Sequence, residues 1–300
     1  MDVGLYAIFG GHQVDIVPHI FRHYINQGID PENFYIAYHD NPNFQELKDQ
    51  YYSYFDEYGV QPKIVIDGDL QANNGKWPSI LDHLRSTCSN EWIVRIDMDE
   101  FHEYPNGLSE LIEQCSNYDY VIGVWADRLA VDGKFNKIQK DVSLWKQFPL
   151  IFTDYAKLEF LADTAKNNLN DNYLVKKPPY FTHTKKYRPV GSKMALARTK
   201  FSHAGSSHTI ADHAKCRRFP VLITTHHFRF TDSCVVHCDV LSENEYSDAR
   251  KNVLRYLQYD KITNSINMNL IKFLIQEIET PKGFYYNENY PTNLPEPSWL

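Results

Sequence analysis

Apolar positions along the first hundred residues switch repeatedly between two periods. Residues 3–9 form a short apolar run ending at Gly10-Gly11, and residues 16–27 then place apolar side chains at helical spacing up to Gly28. The alternation continues. Residues 34–38 predict a second strand ending at His39-Asp40, 44–58 a second helix closed by Gly59, and 63–66 a third strand ending at Asp67. A helix over 79–88 precedes a strand over 92–96 that runs into Asp97. This order predicts an α/β protein with a mostly parallel central sheet flanked by helices. Ligands of such sheets sit beyond the carboxyl ends of the strands, so Gly10, Asp40, Asp67 and Asp97 mark the expected pocket edge.

Further along, residues 108–115 read as a helix and 120–125 as a strand, with a turn at 131–134. The stretch 150–190 loses clear period and reads as an insertion with one helix, about 155–168, and a mobile loop. Strand character returns at 193–198 and 221–225. Two helices, 242–258 and 266–278, precede a Pro-rich tail. The expected organisation is one α/β domain over 1–240, interrupted at about 150–190, with C-terminal helices and tail over 241–300 packed on it.

Composition narrows the function classes. At 300 residues, with 43% hydrophobic and 23% charged, the chain is long and apolar enough for a globular core. A net charge of −7 excludes a general nucleic-acid binder, because phosphate-backbone affinity comes from clustered Lys and Arg. Five cysteines, an odd number at irregular spacing, point to a reducing compartment and not to a disulfide framework. The N-terminus lacks a basic leader, and no apolar run reaches membrane-spanning length. A soluble cytoplasmic protein with at most peripheral membrane contact is expected.

The chemistry concentrates in Trp92-Ile-Val-Arg-Ile-Asp97-Met98-Asp99-Glu100-Phe101, where an apolar strand delivers two carboxylates two positions apart and a third directly after. If the extended geometry continues, Asp97 and Asp99 share a face and converge on one ion. Hard cations such as Mg2+ and Mn2+ take carboxylate oxygens and keep positions open for substrate phosphates. Asp99 is thus the first candidate ligand, with Asp97 reaching either the metal or a ribose. The bland alternative is a set of solvated loop carboxylates.

This segment resembles the metal-binding strand of family 2-like glycosyltransferases of the GT-A fold, in the branch whose motif ends Asp-x-Asp-Glu-Phe. The helix ending His23-Tyr24-Ile-Asn-Gln-Gly28 is similar to that branch's first helix. Trp125-Ala-Asp-Arg128, Asp132-Gly133, Phe148-Pro149, Gly205-Ser-Ser-His208 and His227-Phe-Arg-Phe230 look like its later landmarks, in order over residues 3–240. Gly10-Gly11-His12-Gln13 departs from the Asn-Glu many members carry there. The resemblance implies a Rossmann-like GT-A fold and transfer of a sugar from a nucleotide-diphosphate sugar, with Mn2+ or Mg2+, to a hydroxyl of a glycan or lipid-linked acceptor, with inversion, in polysaccharide biosynthesis. It implies metal ligation by Asp97, Asp99 and a late histidine, His208 first and His227 second. It also places nucleotide contacts at Asp40, Asp67 and Asp97.

A single displacement by a hydroxyl needs a base. Asp127 is the leading candidate, with Asp154 and Glu159 as alternatives and Glu100 as a further catalytic carboxylate; an ion pair with Arg128 is the structural alternative for Asp127. Lys76 is a candidate phosphate contact and Trp77 a candidate stacking residue, against a solvated lysine and a core anchor. Asp40 and Asp67 compete with helix capping and turn formation. A zinc reading of His226, His227, Cys234, His237 and Cys238 lacks the paired spacing of structural zinc sites. Two other functions remain open. A nucleotidyl- or phosphoryl-transfer enzyme also uses paired carboxylates with Mg2+, and a non-catalytic carbohydrate binder would use the aromatic residues.

Overall fold

The structure is a computed structural model, describing residues 1–68, 76–104, 106–152, 192–201, 216–219, 223–235, 259–266 and 268. The chain divides into two compact units, Met1–Gly123 with Ser192–Thr225, and Val124–Gly191 with His226–Leu300. The helix expected at 155–168 and the one at 242–258 lie outside the described residues, as does nearly all of 266–278.

The first unit carries the α/β alternation. β1 (Val3–Gly10), β2 (Phe34–Asp40), β3 (Pro62–Asp67) and β4 (Trp92–Arg95) are mutually parallel in the order β3-β2-β1-β4. α1 (Val17–Asn26), α2 (Lys48–Tyr58) and α3 (Lys76–Thr87) are the intervening helices. β1 and β2 are almost continuously apolar because helices cover both of their faces. On one face Phe9, Phe21, Phe34 and Phe55 interlock, with Phe9 and Phe21 centroids 5.7 Å apart and Phe21 edge-on to Phe34 at 5.5 Å. Tyr6, Tyr35, Ala37 and Ile93 pack on the other face against Leu84 of α3 and Cys88 just after it. Each such buried side chain contributes about 1.5–3 kcal/mol relative to exposure, so the two apolar faces fix the register of the sheet. Pro18 sits in the first turn of α1, where its missing N–H is no loss, and Gly59 ends α2 in the left-handed conformation, with φ 67°.

Beyond β4 the strand order continues through β8 (Ser192–Arg198), β6 (Tyr120–Leu129), β9 (Ile223–His227) and β5 (Glu100–His102). β8 runs antiparallel to β4, with Trp92 opposite Arg198. The three-residue strand β5 was not visible in the pattern, because Glu100-Phe101-His102 follows the acidic run without a period of its own. α4 (Leu108–Gln114) matches the predicted helix.

In the second unit, the end of β6 pairs antiparallel with β7 (Leu150–Phe152), Asp127 opposite Phe152. Leu129, Phe135, Phe230, Cys234 and Ile266 form its core. Arg128 is fully buried there, its guanidinium 4.4 Å from the Trp145 ring and Nη1 donating to the Pro149 carbonyl at 3.1 Å. Trp145 belongs to the short α5 (Leu144–Gln147). Neither α5 nor β7 was expected, each being shorter than one period of its pattern can declare. Among the described residues, no helix is long and apolar enough to cross a membrane.

Candidate active site

The carboxyl ends of four parallel strands line up in the first unit. Asp40 lies opposite Asp67, and Gly10 opposite His39. The order β3-β2-β1-β4 reverses direction at β1, since β2 and β4 flank it on opposite sides, and Gly10 ends the strand at that switch point. A Cβ on Gly10 would stand 2.6 Å from the His39 carbonyl oxygen, so only glycine lets the two strand ends approach. The Gly10 N–H points to Met98 Sδ at 3.3 Å, which ties the end of β1 to the acidic run.

The acidic run itself departs from expectation. β4 ends at Arg95, and Asp97 to Glu100 form a turn in which Glu100 N–H donates to the Asp97 carbonyl at 3.1 Å. The extended geometry that would set Asp97 and Asp99 on one face does not continue. The turn closes because Glu100 Oε2 accepts from the Asp97 N–H at 3.0 Å, a reciprocal contact that apolar periodicity cannot reveal.

Lys193 was missed by sequence reasoning. It comes from β8, is wholly buried, and its ammonium bridges Asp97 Oδ2 and Glu100 Oε2, the latter at 2.7 Å. Arg95 Nη2 meets Asp97 Oδ1 at 3.3 Å. Asp97 remains 49% exposed, Asp99 is half-buried, and Glu100 is sealed inside. Glu100 therefore serves as a buried ion-pair partner, not as an open carboxylate. A signal was present: Lys193 leads straight into the apolar run Met194-Ala-Leu-Ala197 of β8, at a buried position where an unpaired ammonium is not tolerated.

Beneath the turn lies a neutral histidine network. The His102 ring bridges the Arg95 carbonyl (Nε2, 2.9 Å) and Thr225 Oγ1 (Nδ1, 2.8 Å), and His23 Nε2 donates to the His102 carbonyl at 2.8 Å. Complete burial pushes His102 down to about 3 and His23 down to about 4. With both rings neutral, His102 Nε2–H donates to the carbonyl and Nδ1 accepts from the threonine. Tyr24 Oη receives the His102 N–H at 3.0 Å and donates to the Glu100 carbonyl at 3.3 Å, so α1 holds the acidic turn directly.

Other predicted positions fall on the same strand edge. Asp40 is buried and paired with Lys48, while Oδ1 has no hydrogen-bond partner. Asp67 is exposed at the end of β3. Lys76 opens α3, its side chain outside the described set, and Trp77 meets the His39 ring edge-on at 6.2 Å. His208, Asp154 and Glu159 lie outside the described residues.

In the second unit Asp127 is buried and gathers two partners. His227 Nδ1 lies 2.9 Å from Oδ1, and Arg229 Nη2 lies 2.5 Å from Oδ2. The imidazole stacks on Trp125 at 4.8 Å. His226 packs edge-on to Trp145, and Cys234 sits in the apolar core, so these members of the zinc reading point into packing.

Among the described residues no group of three or more His, Cys, Asp or Glu is placed to hold a metal ion. Asp97 and Asp99 bring carboxylate oxygens, the donor chemistry of hard cations, which one or two carboxylates hold when substrate phosphates complete the shell. Asp97 is exposed with both oxygens paired to Lys193 and Arg95, and Asp99 is half-buried.

No family model and no curated protein matches the chain. Among solved structures it is similar to S. aureus TarS 1–349, at 9% identity and TM-score 0.25, over 44% of this chain and 37% of that one. It is also similar to HddC from Yersinia pseudotuberculosis, at 10% identity and TM-score 0.35, over 84% of this chain and 100% of that one. For HddC complexed with GMP-PN the values are 13% and 0.26, over 44% and 60%. The chain thus spans little more than a third of the TarS structure.

Proposed function

We propose that the chain transfers a sugar from a nucleoside-diphosphate sugar to a hydroxyl of a glycan or lipid-linked acceptor, with inversion. The observation that carries this reading is the carboxyl edge of the parallel sheet, where Asp67, Asp40, Gly10 and the acidic turn follow one another across the switch point. Asp40 and Asp67 offer carboxylate acceptors for base N–H or ribose hydroxyl groups. Lys76 is retained as a phosphate contact. Asp99 is the metal ligand, with Asp97 beside it and His208 as the late third donor. A bound Mn2+ or Mg2+ neutralises charge on the departing diphosphate.

Asp127 and His227 are retained as the candidates for proton transfer. Asp127 accepts from His227 Nδ1 and is held by Arg229, so the carboxylate positions the ring and the imidazole takes the proton. In this reading Asp127 acts through His227 and is a positioning residue.

The test is incubation of the full chain with a panel of labelled nucleotide sugars, saccharide acceptors and Mn2+. Release of nucleoside diphosphate with label on the acceptor supports glycosyl transfer. Pyrophosphate formation from a nucleoside triphosphate and a sugar phosphate assigns nucleotidyl transfer instead, and saccharide binding without nucleotide binding assigns a carbohydrate binder.

A further inference from the structure

The acidic turn carries its own counter-ion. Lys193 lies fully buried between Asp97 and Glu100, and Arg95, itself buried, holds the other oxygen of Asp97. Two carboxylates thus face two fixed cations, and Asp99 adds one negative charge at the half-buried tip. The ammonium cannot swing into solvent to make way. It is anchored on β8, whose pairing with β4 sets it under the turn, and its second partner Glu100 is sealed in with it. A divalent ion arriving at the exposed side of Asp97 therefore meets a carboxylate already shared with two cations, and like-charge repulsion acts across a low-dielectric interior.

We infer that Lys193 holds down the intrinsic affinity of the Asp97–Asp99 turn for divalent cations, so that the ion is retained only when an anionic ligand supplies further negative oxygens. Resting on the reading given under Proposed function, that ligand is the diphosphate of the donor. Lys193 is then a positioning residue that makes cation and diphosphate bind together.

Mn2+ titration of the full chain, followed by electron paramagnetic resonance of the free ion, tests this without any activity measurement. Wild type is expected to bind Mn2+ alone weakly. K193M should bind Mn2+ alone about tenfold more tightly or better, whereas K193R, which keeps the charge, should match wild type. Equal affinity of K193M and wild type overturns the inference, as does a gain in K193R as large as in K193M. Because K193M leaves the buried Glu100 carboxylate without its ammonium partner, E100Q/K193M removes one charge of each sign and is read if the single variant does not fold. A gain of about twofold or more there supports the inference, and no gain overturns it. Adding UDP or GDP to wild type separates the two claims. If neither tightens Mn2+ while K193M still does, the counter-ion role stands and the nucleoside-diphosphate reading fails.

Discussion

The two units each surround an aspartate with two basic side chains, and they do so inside out from one another. In the first, Asp97 is 49% exposed while Lys193 and Arg95 are buried at 0% and 7%. In the second, Asp127 is buried at 4% while Arg229 remains 22% exposed, with His227 at 10%. One cluster turns a carboxylate outward over buried cations, and the other buries its carboxylate and leaves only the guanidinium of Arg229 partly exposed. The same ion-pair chemistry therefore gives opposite arrangements: an exposed carboxylate backed by buried cations, and a buried carboxylate that fixes an imidazole. Burial decides the cost of breaking each. Losing an exposed carboxylate mainly removes ligand binding, whereas losing a buried one strands charge in a low dielectric.

The largest effect on stability is expected from Asp127→Ala, which leaves Arg229 and His227 without their buried carboxylate. Urea unfolding should show a loss of about 3–5 kcal/mol, and an unchanged midpoint would mean that the cluster is not buried as described. Asp99→Ala is the contrasting case. Nucleoside-diphosphate binding and transfer should fall on the order of 10²-fold or more, with the unfolding midpoint moved by no more than about 0.5 kcal/mol.

A second pair of perturbations sharpens the contrast between the buried network and the exposed turn. His102 and His23 are held neutral, with values pushed down to about 3 and about 4 from an ordinary 6.5. The unfolded chain binds their protons first, so stability is fully present above about pH 6.5 and is lost as pH falls toward the folded values. The slope should be about 1.4 kcal/mol per pH unit for each histidine between pH 6 and 4.5, and a pH-independent melting temperature over that range would contradict it. Gly10→Ala forces a methyl group against the His39 carbonyl and should cost about 1–3 kcal/mol, measured by thermal unfolding. Ordinary alanine-like behaviour at that position would show that the strand ends do not approach so closely.

Much of the first unit was legible in the sequence because its signals are periodic. Continuous apolar runs in β1 and β2, Gly28 and Gly59 as helix stops, and acids at strand ends each follow from local physics. The site was legible only in part. Asp97, Asp99 and Asp127 announced themselves as acids after apolar strands, but their partners did not. Lys193 is 96 positions from Asp97, and Arg229 is 102 from Asp127. No local period encodes such pairings; only strand order does, and antiparallel β8 beside β4 was not deducible from the alternation. The turn at Asp97 was missed for a related reason, since the hydrogen bond that closes it involves a glutamate whose burial depends on Lys193.

Calorimetric titration of the full chain with UDP, GDP and other nucleoside diphosphates, each with Mn2+, bears most directly on the acidic strand end as a diphosphate site. The account predicts saturable one-to-one binding of at least one nucleotide, abolished in Asp99→Ala and retained in Asp127→Asn. Binding that survives unchanged in a folded Asp99→Ala protein, or no binding of any nucleoside diphosphate, would contradict it.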